Sequence, residues 1–394
     1  MEIFDSLHGY IEIDNYIKDI IDTFEFQRLR NIKQLGCCYY VFPGASHNRY
    51  EHSLGVYYLT RKYIQYLNRG EEYISEYEKK ILCISAIIHD IGHGPFSHLF
   101  DEIINDNKKH HEYRSIEIFK SMNDKYKFGY NNDDIQFIYR IIKPDNEILD
   151  TKKYLFQIVS NKNGIDVDRF DYLMRDIKMI GLNYGIEYDR ILRKSKIIKN
   201  SDNQFEICYS DKIKTHIEDF YHIRYTMYKE IYNHKTVRII EYMMKEYLIL
   251  LNNYKSIQDI IKNDNWNEFI LFNDDIMNEV FRLPVEKNIF ELYSIIENIY
   301  SRKLYEHQGS IITKLMDIND DIIYDNNNNN IIIDKILLKY YSNEECKYYN
   351  ENKIIKQKMN NKMNNEYIIS IYTKDNQYKE EAKKIFNEIS KSIE

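Results

Sequence analysis

Apolar residues recur at three- and four-residue steps through much of the first 250 residues, the spacing that lines one face of an α-helix. Ile17, Ile20, Ile21, Phe24, Leu29 and Ile32 predict a helix over residues 16–35. Ile74, Tyr77, Ile81, Ile84, Ile87 and Ile88 predict a buried helix over 73–90, stopped by Gly92, Gly94 and Pro95. Between them, CYYVFPGASHNRYEHS holds Pro43, Gly44 and Ser46 and reads as a loop feeding a helix that begins near Arg49. Residues 152–180 and 211–250 carry long helical patterns, with EICYSDK at 206–212 as a short strand in a hairpin between them. The last third changes character. Segments 331–341 and 366–373 are rich in strand formers, whereas the run Asn326 to Asn330 and MNNKMNN at 359–365 read as loops. The pattern predicts a mainly α fold: a helical core over residues 1–250 and a smaller mixed α/β C-terminal lobe over 251–394.

Composition adds bounds. A chain of 394 residues suits one large domain with an appended lobe, or two domains. The net charge of −7 argues against a surface that is basic throughout, and leaves local basic stretches able to bind single-stranded nucleic acid. The five cysteines form no CxxC pair, so they read as reduced thiols in a reducing compartment. The acidic start MEIFDSLHGYIEID is not a signal peptide, and no apolar run reaches a membrane span. The expected location is intracellular, in the cytoplasm, with the nucleus left open.

Candidate chemistry lies in three separate stretches. A divalent metal that activates water needs a few His and carboxylate ligands and open positions. His52, the adjacent pair His89–Asp90 and Asp168 offer such a set. His52 alone reads more simply as a capping or core histidine. A carboxylate beside an imidazole at a buried helix end needs a partner for both, and a metal supplies one. His93, His98 and the pair His110–His111 crowd the same region. Asp101, one helical turn past His98, can orient that ring as an acid/base dyad, against the plainer reading of surface loop histidines. Asp168, Tyr172, Arg175 and Asp176 share one helical face, and so do Arg224, Tyr228 and Tyr232, with Lys235 a turn later. Such faces suit phosphate and sugar; the plainer alternative is a solvated charged surface.

The runs IKQLGCCYYVFPGASHNRYEHSLGV, HDIGHGPFSH and NGIDVDRFDYLMRD closely resemble the deoxynucleoside triphosphate (dNTP) triphosphohydrolases of the SAM-and-HD-domain-containing family. The likeness covers about residues 3–250 and corresponds to the HD catalytic core without the SAM domain. The resemblance implies cleavage of a dNTP to deoxynucleoside and inorganic triphosphate. Activated water would attack the α-phosphorus at a divalent metal, which could be Mg, Mn, Fe or Zn. It implies His52, His89, Asp90 and Asp168 as metal ligands, and His98 as general acid, oriented by Asp101 and flanked by His93 and His111. Arg49, Arg169 and Arg224 would bind phosphate. Gln34, Leu35, Tyr172 and Asp176 would face the sugar, and Tyr232 would exclude a ribose 2′-hydroxyl.

The resemblance also implies a homo-oligomer, dimer or tetramer, with GTP or dNTP effectors between subunits. Asp22, Gln27 and Arg30 match the guanine-nucleotide site; Val41, Phe42, Arg190, His234, Lys235 and Arg302 are similar to other effector positions. Met1, Ser210 and Glu306 stand where cations are expected, so nucleotide activation should be altered or weak. Two other readings compete: another HD phosphohydrolase, either a 5′-nucleotidase or a phosphodiesterase, and a nucleotide-sensing or nucleic-acid-binding scaffold. The sugar-facing residues argue against the first, and the intact ligand set and His98 argue against the second.

Overall fold

A computed structural model describes residues 1–104, 110–145, 147–282, 289–314, 328–340, 346–351, 353–355 and 365–393. The chain opens with a hairpin of β1 (Glu2–Asp5) and β2 (Gly9–Glu12). The helix expected over 16–35 is broken. α1 (Asn15–Ile21) stops, and the Thr23 hydroxyl accepts from the Phe26 N–H at 3.3 Å to start α2 (Phe24–Gln27). A 3₁₀ turn, Arg28–Asn31, follows. α3 (Arg49–Leu67) begins where the sequence places it, under a capping box made by Asn48 and Glu51. α4 (Glu76–Ile88) is capped likewise by Ser75 and Glu78, and ends one residue before His89.

Next come α5 (His98–Ile104), α6 (His111–Tyr126), α7 (Asn132–Ile142) and α8 (Val167–Ile180). The long pattern over 152–180 is therefore also two pieces. A 3₁₀ turn, Lys153–Gln157, is cut from α8 by a loop in which Gly164 takes φ 79° and Asp166 caps the helix by accepting from the Arg169 N–H at 2.9 Å. After α9 (Tyr188–Arg193), the hairpin of β3 (Ser195–Lys199) and β4 (Phe205–Ser210) matches the expected strand. The pattern over 211–250 splits into α10 (Lys214–Met227), a π turn at Tyr228–Tyr232 and α11 (Lys235–Lys255). The remainder is α12 (Ile257–Lys262), α13 (Trp266–Phe269), α14 (Ile289–Tyr300), β5 (Glu306–Thr313), β6 (Ile331–Leu338), β7 (Tyr348–Asn350), β8 (Lys353–Ile355), β9 (Glu366–Thr373) and α15 (Lys379–Ile393). β6 and β9 fall on the two strand-prone segments. Asn328–Asn330 form the turn into β6; Asn326, Asn327 and residues 359–364 lie outside the described residues. The fold is mainly α.

The chain forms two compact units, and the boundary is not a single cut near residue 250. The first unit comprises Met1–Tyr221, Ser256–Ile276 and Ser342–Met359. Two late segments return to it for physical reasons. Asp274 accepts backbone hydrogen bonds from Lys33 and Phe96, and β7 pairs in parallel with β4. The second unit comprises His222–Lys255, Met277–Tyr341 and Asn360–Glu394. Its sheet has the order β5-β9-β6, all antiparallel, and packs Ile331, Ile369 and Ile371 against Ala382 and Ile389 of α15.

Candidate active site

α3, the turn after α4, and the start of α8 bring His52, His89, Asp90 and Asp168 together inside the first unit. His52 Nε2 lies 3.3 Å from His89 Nε2 and 3.1 Å from an Asp168 oxygen. The Asp90 carboxylate is 3.6 Å from His52 Nε2 and 3.4 Å from His89 Nε2. The other nitrogen of each imidazole is already engaged: His52 Nδ1 with Asp171 at 2.8 Å, and His89 Nδ1 with the Ala86 carbonyl at 2.8 Å. Two ring nitrogens facing each other at this distance cannot both carry protons. With Nδ1–H donated outward, each Nε2 is able to turn a lone pair toward one point shared with the Asp168 carboxylate, and Asp90, paired with Arg49, stands beside it. That donor set fits a divalent metal.

The electrostatics agree. Burial alone would lower the His52 pKa, yet Asp168 and Asp171 raise it to about 10. Burial pushes the Asp90 carboxyl up, but Arg49, His89 and His93 outweigh it and hold it well below the usual range. Asp168 is likewise held low by His52 and His89 against its own burial. The pocket thus draws positive charge onto His52, the role a cation fills.

A buried chain of groups fixes His52. Asp171 accepts from His52 and, at 2.7 Å, faces His8 Nε2. Arg175 grips both Asp171 oxygens, Nε at 2.9 Å and Nη2 at 3.0 Å, and reaches Asp5 at 2.8 Å. The first hairpin therefore contributes Asp5 and His8 to the support of His52, a candidate metal ligand. Gly55 on α3 admits this carboxylate: a Cβ there would overlap the Asp171 side chain. Sequence reasoning placed Arg175 on a ligand-binding face, but it is fully buried in this ion pair. It missed Asp171 and His8 altogether. The i, i+3 step from Asp168 to Asp171 was a usable signal; His8 had none.

The glycines after Asp90 serve close approach. A Cβ at Gly92 would overlap the α6 backbone at His111 and Ser115, and one at Gly94 would overlap the Phe100 ring. The turn is instead made by Phe96 and Ser97, at φ 58° and 60°. Beyond it His93 stacks on His111 (ring centroids 3.9 Å apart), and both stand edge-on to His98 at 5.0 and 5.4 Å. The expected Asp101–His98 pair gives way to another arrangement. Asp101 turns toward α6, where one oxygen faces His111 Nδ1 at 2.9 Å and the other accepts from Arg114. Arg114 also donates to the Gly92 carbonyl at 2.8 Å, and buried Arg28 donates to the Ile91 and His93 carbonyls. Neither arginine was anticipated. The His98 ring opens onto the cavity, but the surrounding walls, Arg49 and His111 lower its pKa to about 4. His93, fully buried, is held well below its usual value by burial, Arg49 and His111.

His89, Asp90, His93, His98, His111 and Asp168 line a cavity of about 180 Å³. Arg49, Arg169, Gln34 and Tyr172 line it too, with Glu112 as an unanticipated acidic wall. Gln34 Oε1 is buried with no hydrogen-bond partner among the described residues, so it is available to a ligand. Arg49 pairs with Asp90 and donates to Ser97 Oγ at 2.8 Å; Arg169 pairs with Asp166. Asp176 is fully buried with His47 Nε2 at 2.7 Å, and Leu35 is half-buried beside Gln34. Neither is part of the cavity wall.

Arg224 and Tyr232 belong to the second unit. The π turn at Tyr228–Tyr232 interrupts the helical face that the sequence drew through them. Of the expected effector positions, Gln27 accepts from Arg30 at 2.7 Å and donates to the carbonyl of Ile21, next to Asp22, which pairs with Lys18 at 2.9 Å. Val41 and Phe42 are half-buried, and Arg190 is exposed on α9. His234, Lys235 and Arg302 lie in the second unit, with Lys235 and Arg302 exposed.

Residues 49–176 match the HD domain family. An HD domain-containing protein of Acanthamoeba polyphaga mimivirus is 38% identical over 345 residues, 76% of this chain and 71% of that protein. The deoxynucleoside triphosphate triphosphohydrolase SAMHD1 homolog of Dictyostelium discoideum is 35% identical over 316 residues, 78% of this chain and 60% of the homolog. The chain belongs to the SAMHD1-like family of HD-domain proteins. Human SAMHD1 is 33% identical over 341 residues, covering 77% of this chain and 54% of its own length. The chain thus spans 54–60% of these two triphosphohydrolases. HD domains bind divalent metals, and His52, His89 and Asp168 bring one ligand atom each within 4.8 Å of one another.

Proposed function

We propose that this chain is a metal-dependent dNTP triphosphohydrolase, releasing deoxynucleoside and inorganic triphosphate. The observation that carries this is one cavity that joins His89 and Asp168, two members of the His52–His89–Asp168 cluster, to Arg49, Arg169, Tyr172 and the unsatisfied Gln34 Oε1. The printed names of the SAMHD1 relatives support the same activity. A divalent metal held by His52, His89, Asp90 and Asp168 would supply Lewis acidity to a phosphoryl oxygen and make water at the site more acidic.

The chain's own residues do the rest. Arg49 and Arg169 hold phosphate oxygens by charge-assisted hydrogen bonds. A water oxygen bonds to the α-phosphorus while the bond from phosphorus to the 5′-oxygen breaks. His98 gives its proton to that leaving oxygen. Without substrate His98 is neutral at pH 7, because burial, Arg49 and His111 hold its pKa to about 4. A triphosphate in the cavity reverses the sign of the local charge and favours the imidazolium the reaction needs. Asp101 orients His111, and His111 stands against His98, so the acid is steered through one intermediate ring. Tyr172 and Gln34, which line the cavity, face the deoxyribose.

All five cysteines are buried thiols outside any disulfide. Among the described residues no helix is long and apolar enough to cross a membrane. The test is product analysis after incubation with each dNTP and Mg²⁺ or Mn²⁺. Triphosphate and deoxynucleoside are expected, with turnover abolished in Asp168→Ala. Orthophosphate from a deoxynucleoside monophosphate, with dNTPs untouched, would make the chain a nucleotidase.

A further inference from the structure

Asp274 lies in the late segment that returns to the first unit, far in sequence from every residue of the catalytic motifs. It is buried, and its two oxygens are used separately. Oδ2 accepts from the Lys33 N–H at 2.8 Å and Oδ1 from the Phe96 N–H at 2.7 Å. Neither contact is local, so a simple helix-capping role does not explain them.

Each acceptor holds one wall of the cavity. Lys33 bridges Asn48, Gln34 N–H donates to the His47 carbonyl at 3.0 Å, and Arg49 N–H donates to the Ile32 carbonyl at 3.0 Å. The Lys33 contact therefore fixes the segment that presents Gln34 and Arg49. The Phe96 contact fixes a turn of two non-glycine residues with positive φ, immediately before α5 begins at His98. Such a conformation persists only where its surroundings enforce it. Ser97 joins the walls again: its hydroxyl donates to the Lys33 carbonyl at 2.7 Å and accepts from Arg49 Nε at 2.8 Å. Two residues earlier, the Phe272 carbonyl accepts from Arg28 at 2.8 Å, and Arg28 holds the 91–93 turn.

We propose that Asp274 is a positioning residue of the phosphohydrolase site, clamping the Gln34–Arg49 wall to the Phe96–Ser97 turn that aims His98. This rests on the phosphohydrolase reading above. A carboxylate suits the task because its two oxygens accept independently; an amide offers one acceptor, and a protonated carboxyl turns one acceptor into a donor. Burial pushes the Asp274 carboxyl up to about 6, against the two N–H groups and the positive charges of Lys33 and Arg49; Arg28 is the other charged group facing it. The clamp is therefore released on mild acidification.

The experiment compares wild type, Asp274→Asn and Ser97→Ala in kinetics with dATP from pH 5 to 8.5 and in amide hydrogen exchange. Asp274→Asn keeps size and one acceptor, so it should fold. It should raise KM and lower kcat/KM by about ten- to a hundredfold, the scale expected when catalytic groups are misplaced. Its rate should also lose the fall below about pH 6 that Asp274 gives the wild type. Ser97→Ala should raise KM in the same direction and keep that fall. Exchange in Asp274→Asn should rise locally at residues 33–35 and 94–98. Wild-type KM and pH profile in Asp274→Asn overturn the proposal, even if its Tm is lower. A wild type that turns over no dNTP defeats the activity reading instead. The exchange data then decide Asp274: a rise confined to those two segments sustains the clamp, and unchanged or uniformly raised exchange overturns it.

Discussion

Asp171 shows how His52, a candidate metal ligand, is aimed. It binds His52 on one side and is itself held by Arg175 and His8, all out of contact with water. Asp171→Asn keeps shape but gives up one acceptor and the charge that balances Arg175. It should lower metal affinity or kcat by about ten- to a hundredfold, as read by elemental analysis and steady-state rates. Unchanged metal content and rate would show that the pair only fills space. His98 makes a second residue-scale prediction. Its ring, followed by NMR of labelled histidine, should titrate near pH 4 in the ligand-free protein. Inorganic triphosphate should raise that value by at least about one unit, because anionic charge favours the protonated ring. A value indifferent to triphosphate would remove His98 as the acid. Residues at this scale were legible where chemistry was concentrated: adjacent His89–Asp90, with His52 and Asp168, is hard to explain without a cation. Asp171 and Asp176 were not separable, since both are carboxylates on α8 and only packing decides that Asp171 meets His52 while Asp176 meets His47.

Elements were legible in kind more than in extent. α3 and α4 begin where capping residues say they should, because Asn48–Glu51 and Ser75–Glu78 are local signals. The helix expected over 16–35 and the long helical patterns over 152–180 and 211–250 are each broken. Thr23, Gly164 with Asp166, and the π turn at Tyr228–Tyr232 interrupt them without disturbing the apolar spacing. Helix-to-helix approach is set by small residues whose role appears only in three dimensions. Gly55 is the clearest case, since α3 and α8 can bring His52 and Asp171 together only without a Cβ there. Gly55→Ala should lower stability by about 1–3 kcal/mol, the usual cost of overpacking, and should also weaken metal binding. Thermal unfolding with and without Mn²⁺ checks this. An unchanged Tm and unchanged metal affinity would mean that the carboxylate moves aside at no cost.

At the scale of the whole molecule, the chain forms two compact units, each assembled from separate stretches of sequence. The sequence could not place Ser256–Ile276 in the first unit, because its ties, among them backbone hydrogen bonds to the Asp274 carboxylate and the Arg28 guanidinium and ring contacts of Trp266 and Phe269, are all long-range. The nucleotide effectors that the sequence resemblance implies belong to this scale. Ser210 is buried and caps its own turn, while Glu306 carries negative charge opposite Lys379 at 3.4 Å. Neither offers a cation to a polyphosphate. GTP or dGTP should therefore raise dATP hydrolysis by less than about tenfold, the worth of a single modest contact. An absolute GTP requirement would contradict this.

The central claim is that water is delivered to the α-phosphorus of a dNTP beside the His52–His89–Asp90–Asp168 cluster. The direct measurement is ³¹P NMR of the products formed from dATP in ¹⁸O-labelled water, with Asp168→Ala as control. The account predicts inorganic triphosphate carrying one ¹⁸O on a terminal phosphorus, unlabelled deoxyadenosine, and no turnover in the variant. Orthophosphate or pyrophosphate as the primary product, label in the nucleoside, or full activity in Asp168→Ala would contradict it.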